Sequence, residues 1–149
     1  RFKDADALIH WAWQCGCRGQ DYRDVRDEAA EIGSIAHDMI ECYLRGTEFE
    51  EWRYPHEYVE QARLSYGAFQ KWTHHFKFET IAVETKMVSE EHRFGGMMDA
   101  AFIEGERCVG DWKTSNRIYP IQYVTQCAAY KRLWEENNPD QPITREEPT

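Results

Sequence analysis

The hydrophobic pattern changes period near residue 78, and that change constrains the fold more than any other feature of the chain. Before it, apolar residues recur at three- and four-residue spacing, as in helices with one buried face. The stretch 5–16 (ADALIHWAWQCG) reads as a first helix closed by Gly16 and Gly19. A stronger helix is predicted over 24–46, where Val25, Ala29, Ile32, Ala36, Ile40 and Tyr43 form a stripe. Acids crowd its start and Gly46 follows its last turn, the polarity expected of helix ends. A third helix is predicted over 56–76, with Val59, Ala62, Tyr66, Phe69 and Trp72 on one face.

After residue 78 the chain is rich in strand formers: 78–88 (FETIAVETKMV), 94–103 (FGGMMDAAFI) and 107–115 (RCVGDWKTS). A last helix is predicted over 121–137, entered just after Pro120. Helices, then a three-strand antiparallel meander in a mixed sheet, then a flanking helix make an α+β domain. At 149 residues the chain is expected to be one domain, long enough to bury a core. It opens on Arg1 rather than Met and reads as a fragment, lacking the native start and end.

The tight turn between the last two strands sets a parity. If Glu104, Gly105 and Glu106 form the loop, Ile103 pairs with Arg107, and counting back places Asp99 opposite Asp111. Residues directly opposite share a face, and a slip of one residue reverses that. Lys113 lies two residues on, on the same face as Asp111. A two-residue loop without a bulge would separate the two carboxylates.

Composition narrows the partners. The net charge of −9 argues against a protein that holds nucleic acid by bulk electrostatics, but a bound cation adds positive charge that composition omits. Cys15, Cys17, Cys42, Cys108 and Cys127 are odd in number and scattered, as in a reduced cytoplasmic protein. No apolar run approaches the roughly 20 residues that span a membrane.

Two acids and a lysine in adjacent strands admit two readings, a solvated strand face or a metal site. Hard divalent cations such as Mg²⁺ or Mn²⁺ take carboxylate oxygens and keep several waters. There they polarise phosphate oxygens and lower the pKa of a bound water. A lysine beside them can orient that water or stabilise charge on the phosphate. The D-x-K triplet is weak alone, since a chain this long holds roughly 0.5 by chance. Glu84-Thr85-Lys86 is a competing E-x-K on the preceding strand, and Glu84 is a further candidate ligand or water-mediated contact.

The context separates the two. Gly33, His37 and Glu41 make G-x-x-x-H-x-x-x-E; Gly96 and Asp99 make G-x-x-D; Asp111, Lys113 and Thr114 make D-x-K-T; Gln126 and Tyr130 make Q-x-x-x-Y. In this order the motifs, over about residues 30–135, resemble the RecB-like branch of the PD-(D/E)xK nucleases. The resemblance implies a restriction-endonuclease-like core in a phage or bacterial exonuclease of DNA recombination or repair, cutting DNA ends or single strands with Mg²⁺ or Mn²⁺. It implies His37, Asp99, Asp111 and the Trp112 backbone carbonyl as metal ligands, with Asp99, Asp111 and Lys113 catalytic and Lys113 positioning the water. Gln126 and Tyr130 would face the DNA backbone or brace the site.

Gly33 would allow close backbone approach, and Glu41 would hydrogen-bond the His37 imidazole. Met98 stands where the superfamily's name has proline. No iron–sulfur cluster is expected within this chain, since only Cys127 lies near the region where some relatives hold one. PITREEPT (142–149) reads as the start of a further strand. The expected setting is the cytoplasm of a bacterial or phage-infected cell, with a recombination partner protein or oligomer. The alternative is a catalytically silent nucleic-acid-binding or scaffold domain with the same fold.

Overall fold

A computed structural model describes residues 5–114 and 119–146. Four helices and a four-stranded sheet follow in the order α1 (Ala5–Cys17), α2 (Tyr22–Arg45), α3 (His56–His75), β1 (Glu79–Ser89), β2 (Phe94–Glu104), β3 (Glu106–Gly110), α4 (Pro120–Asn137) and β4 (Arg145–Glu146). A single 3₁₀ turn, Glu51–Arg53, precedes α3. The sheet order is β1-β2-β3-β4, an antiparallel meander with the short β4 running parallel to β3. The chain is therefore α+β, as the change of period predicts, and the PITRE segment does supply a further strand. No described helix is long and apolar enough to cross a membrane.

Local chemistry explains the boundaries. Asp21 caps α2 by accepting the Arg23 N–H at 2.8 Å, satisfying a donor that the first turn leaves open. Gly46 ends α2 with φ +66°, where its N–H returns to the last turn. Pro120 occupies the start of α4, where no helical N–H is required.

The sheet is covered on both sides. Met87, Met98, Ala101 and Val109 pack with Cys127, Leu133 and Trp134 of α4 and with Ile143. On the other side Ala100, Phe102 and Cys108 meet Ile40 of α2, Phe69 of α3 and the Trp112 ring. A third cluster joins Ile35, Ala36 and Met39 of α2 to Val59 and Ala62 of α3. The α2 stripe is rotated from the predicted one, with Ile35 and Met39 buried and Tyr43 48% exposed. The helix packs against both α3 and the sheet, so it buries two flanks instead of one stripe.

The hairpin register matches the prediction. Ile103 pairs with Arg107 and Glu104 with Glu106 around Gly105, whose φ of +72° suits glycine. The third strand is shorter than predicted, ending at Gly110. The physical reason lies one residue on: the Trp112 N–H donates to the Asp99 carboxylate at 2.7 Å, so a side chain takes a backbone donor next to the ladder's end. Residue 115, the end of the predicted strand, lies outside the described residues.

Candidate metal centre

The site grows from an irregularity shared by β1 and β2. Val83 pairs with Ala100 and Thr85 with Met98, which sets Glu84 opposite Asp99. Strict alternation would put Met98 on the side of Ala100 and Phe102, yet Met98 packs with the α4 cluster. The face changes between them, and Glu84 carries the strain of that change with φ +47°, an unfavourable region for a residue with a Cβ. Arg45 steadies the kink, donating to the Val83 carbonyl at 3.0 Å and to Glu41 at 2.7 Å.

The kink turns both acids toward α2. Glu84 and Asp99 line an open cavity of about 480 Å³ together with His37, Asp38 and Glu41 of α2. His37 Nδ1 lies 3.6 Å from Asp99 Oδ2. One donor atom each from His37, Glu84 and Asp99 falls within 4.8 Å of the others. This set could hold a divalent metal ion. A second set, Glu51, His56 and Glu60, is more exposed, and its two glutamates are taken by Arg63.

The carboxylates are ill at ease without a counter-charge. Burial pushes the Glu84 carboxyl up to about 7, helped by Asp99, Glu41 and Asp38 and opposed by Arg45. Burial also raises Asp99, against the Trp112 N–H and His37, which favour its charged form. Opposed acids on paired strands repel, and a cation between them removes both penalties. The donors present therefore fit a metal.

Asp111 and its partners form the neighbouring half of the site. Asp111 is 3% exposed. Lys113 Nζ pairs with its Oδ2, and Gln126 Nε2 donates to its Oδ1 at 3.0 Å. The same Gln126 amide contacts the Tyr130 hydroxyl at 2.7 Å. The Lys113 ammonium also lies 5.5 Å from the centre of the Tyr123 ring, an attractive arrangement. Tyr123, Gln126 and Tyr130 thus form one stripe of α4 along this half; their i, i+3, i+7 spacing was the available signal for Tyr123, which the motif reading missed.

Two motif glycines have steric reasons. A Cβ on Gly33 would stand 2.9 Å from Thr114 Oγ1, so α2 approaches the D-x-K-T segment closely. A Cβ on Gly96 would meet the Tyr130 ring at 3.3 Å.

The structure thus brings His37 and Asp99 together with Glu84, and places Asp111, Lys113, Gln126 and Tyr130 beside them in a linked set. Asp111 does not join the three-residue donor set. Trp112 enters through its N–H. Glu41 departs from expectation: it pairs with Arg45 one turn on instead of bonding the imidazole, because a guanidinium is the stronger partner for a carboxylate. Compared with protein-family models, characterised proteins and solved structures, the chain finds no match in any of the three.

Proposed function

We propose that the protein is a metal-dependent deoxyribonuclease with a restriction-endonuclease-like core, an exonuclease of phage or bacterial recombination or repair. The reading rests above all on one observation: His37, Glu84 and Asp99 converge within 4.8 Å, next to a buried Asp111 that carries Lys113. A binding module has no need of a lysine ion-paired to a buried acid beside three metal donors.

His37, Glu84 and Asp99 would hold Mg²⁺ or Mn²⁺, and the imidazole nitrogen would tilt this set toward Mn²⁺. When bound, the ion supplies Lewis acidity and a water of lowered pKa. Lys113 orients the attacking water and stabilises negative charge on the phosphate oxygens. The water oxygen bonds to phosphorus and gives up a proton to solvent, the bond to the leaving sugar oxygen breaks, and solvent returns a proton to that oxygen. Gln126 fixes the Asp111 carboxylate, and Tyr130 holds Gln126. Gly33 lets α2 approach the strand end closely enough for His37 to reach Asp99.

The test is to incubate labelled single- and double-stranded DNA with Mn²⁺ and compare wild type with Lys113→Ala. Cleavage is expected to fall about 10²- to 10³-fold in the variant, the loss typical of removing one stabilising donor. Equal rates in the two proteins would exclude the role given to Lys113. Binding without cleavage in the wild type would favour the silent binding domain.

A further inference from the structure

The two sides of the β1–β2 hairpin are treated differently beyond the acidic kink. On its back, Glu136 of α4 accepts the N–H groups of Glu90 and Glu91 at 2.8 and 3.3 Å, and Asn137 donates to the Val88 carbonyl at 3.1 Å. Phe94 packs into the α4 cluster on the same side. The hairpin is thereby pinned to a helix from behind.

Its front is bare. Lys86 pairs with Met97 and Val88 with Gly95, so these four positions share one face. Met97 is 43% exposed and Val88 59%. Among the described residues, neither belongs to an apolar cluster. Met97 also lines the cavity of His37, Glu84 and Asp99, so the row runs directly into the candidate metal centre. Strand geometry gives each step of two residues about 6.7 Å, and Gly95 leaves a gap in the row beside Val88.

The hairpin also carries cations. Arg26, Arg45, Arg53, Arg63 and Lys113 each pair with an acid. Lys86, and Arg93 at the hairpin tip beside Glu90 and Glu91, are exposed; like Lys71 and Lys77 they make no ion pair among the described residues, and what distinguishes them is their place along the Met97–Val88 row. On a chain of net charge −9, unpaired cations beside exposed apolar side chains suit a partner that is anionic and has apolar faces. A single nucleic-acid strand offers both, as phosphates and unstacked bases; a duplex hides its base faces. An acidic peptide shares the charge, but the row's continuity with the acidic cavity favours the strand that would be cut there.

Resting on the nuclease reading, we infer that the front of the β1–β2 hairpin is the track that leads single-stranded DNA into the site, with Lys86 and Arg93 on phosphates and Met97 and Val88 against bases. The test uses the full chain in Mn²⁺ and a labelled oligothymidylate with nuclease-resistant phosphorothioate linkages, titrated by anisotropy at several salt concentrations. The double variant Lys86→Gln/Arg93→Gln is expected to bind about 10-fold more weakly at low salt, and its salt slope to drop by about 0.7 per cation removed. Lys71→Gln/Lys77→Gln, on and just beyond α3, is expected to bind like wild type.

An unchanged affinity and slope in the hairpin variant, equal binding of a duplex of the same length, or equal competition by a polyglutamate peptide would each overturn the track. These outcomes are separable from the fate of the nuclease reading. A wild type that binds the oligonucleotide through the hairpin cations yet cuts no DNA would overturn only the catalytic reading. A wild type that binds no DNA overturns both.

Discussion

Asp111 and Trp112 are neighbours in sequence and belong to opposite kinds of environment. The Trp112 ring sits in an aromatic layer, 5.0 Å from Phe69 and 5.3 Å from Trp72 between ring centres. Phe78, just before β1, and Phe102 of β2 extend that layer, each packed on Trp72. Every group there gains from contact without needing a particular partner, because dispersion and burial are largely non-directional. In the polar centre Glu84 stands opposite Asp99 with a strained backbone and a carboxyl raised to about 7. The same strands therefore carry a region that favours the folded chain and a region that opposes it. Strain and repulsion of that kind persist where the surrounding packing over-determines them, and here Arg45 bonds the Val83 carbonyl on one side while Met98 packs into the α4 core on the other.

The comparison breaks most readily at Phe69, which is 5% exposed and touches Tyr43, Tyr66, Trp72 and Trp112. Phe69→Ala is expected to cost about 3–5 kcal/mol of stability by denaturant unfolding. A cost under about 1 kcal/mol would mean that this aromatic layer is not a main source of the fold's stability.

Glu84→Gln should act with opposite signs in stability and binding. It removes one of two opposed acids, so the metal-free protein is expected to melt higher, while Mn²⁺ affinity falls roughly 10- to 100-fold. Calorimetry with and without Mn²⁺ reads both; a variant that loses stability and keeps its affinity would reverse the assignment.

Titration sharpens the same contrast. The folded state raises Glu84 from its ordinary value of 4.5 to about 7, so the native chain holds a proton that the unfolded chain has lost in that window. Its contribution is fully present below about 4.5 and is lost as pH rises through about 7. Thermal melts of the metal-free protein should fall across this window, more flatly in Glu84→Gln. Added Mn²⁺ should stabilise more at the upper end, where the carboxyl is already charged.

The smallest effect is expected at Gln126→Ala, which removes a partner of Asp111 and of Tyr130. About 1–3 kcal/mol of stability is at stake when a buried acceptor loses its donor, and water reaching the half-buried amide position places this case at the low end. A double-mutant cycle with Tyr130→Phe measures the coupling; none would mean that the two side chains act separately.

Much of this was legible in the chain, for local reasons. The change of period marks where helices give way to strands, and the glycine between Glu104 and Glu106 sets the register through Ile103 and Arg107. Gly33 and Gly96 stood out by their spacing from His37 and Asp99, although only packing shows that Thr114 and Tyr130 occupy the space their missing side chains leave. Glu41 misled because helical spacing places two candidate partners within its reach, His37 and Arg45, and spacing cannot choose between them.

The sequence by itself determined the order of elements, the pairing of the last hairpin and a short list of acids, one histidine and one lysine. These follow from hydrophobic period, turn length and residue chemistry, all of which act over a few residues. Only the tertiary structure decided that Glu84 joins Asp99 and His37 while Asp111 keeps Lys113 and Gln126. That choice depends on a backbone reversal at Glu84, held between Arg45 on one layer and the α4 core on the other. No pattern along a single strand encodes a kink whose cause is the packing of two layers across it.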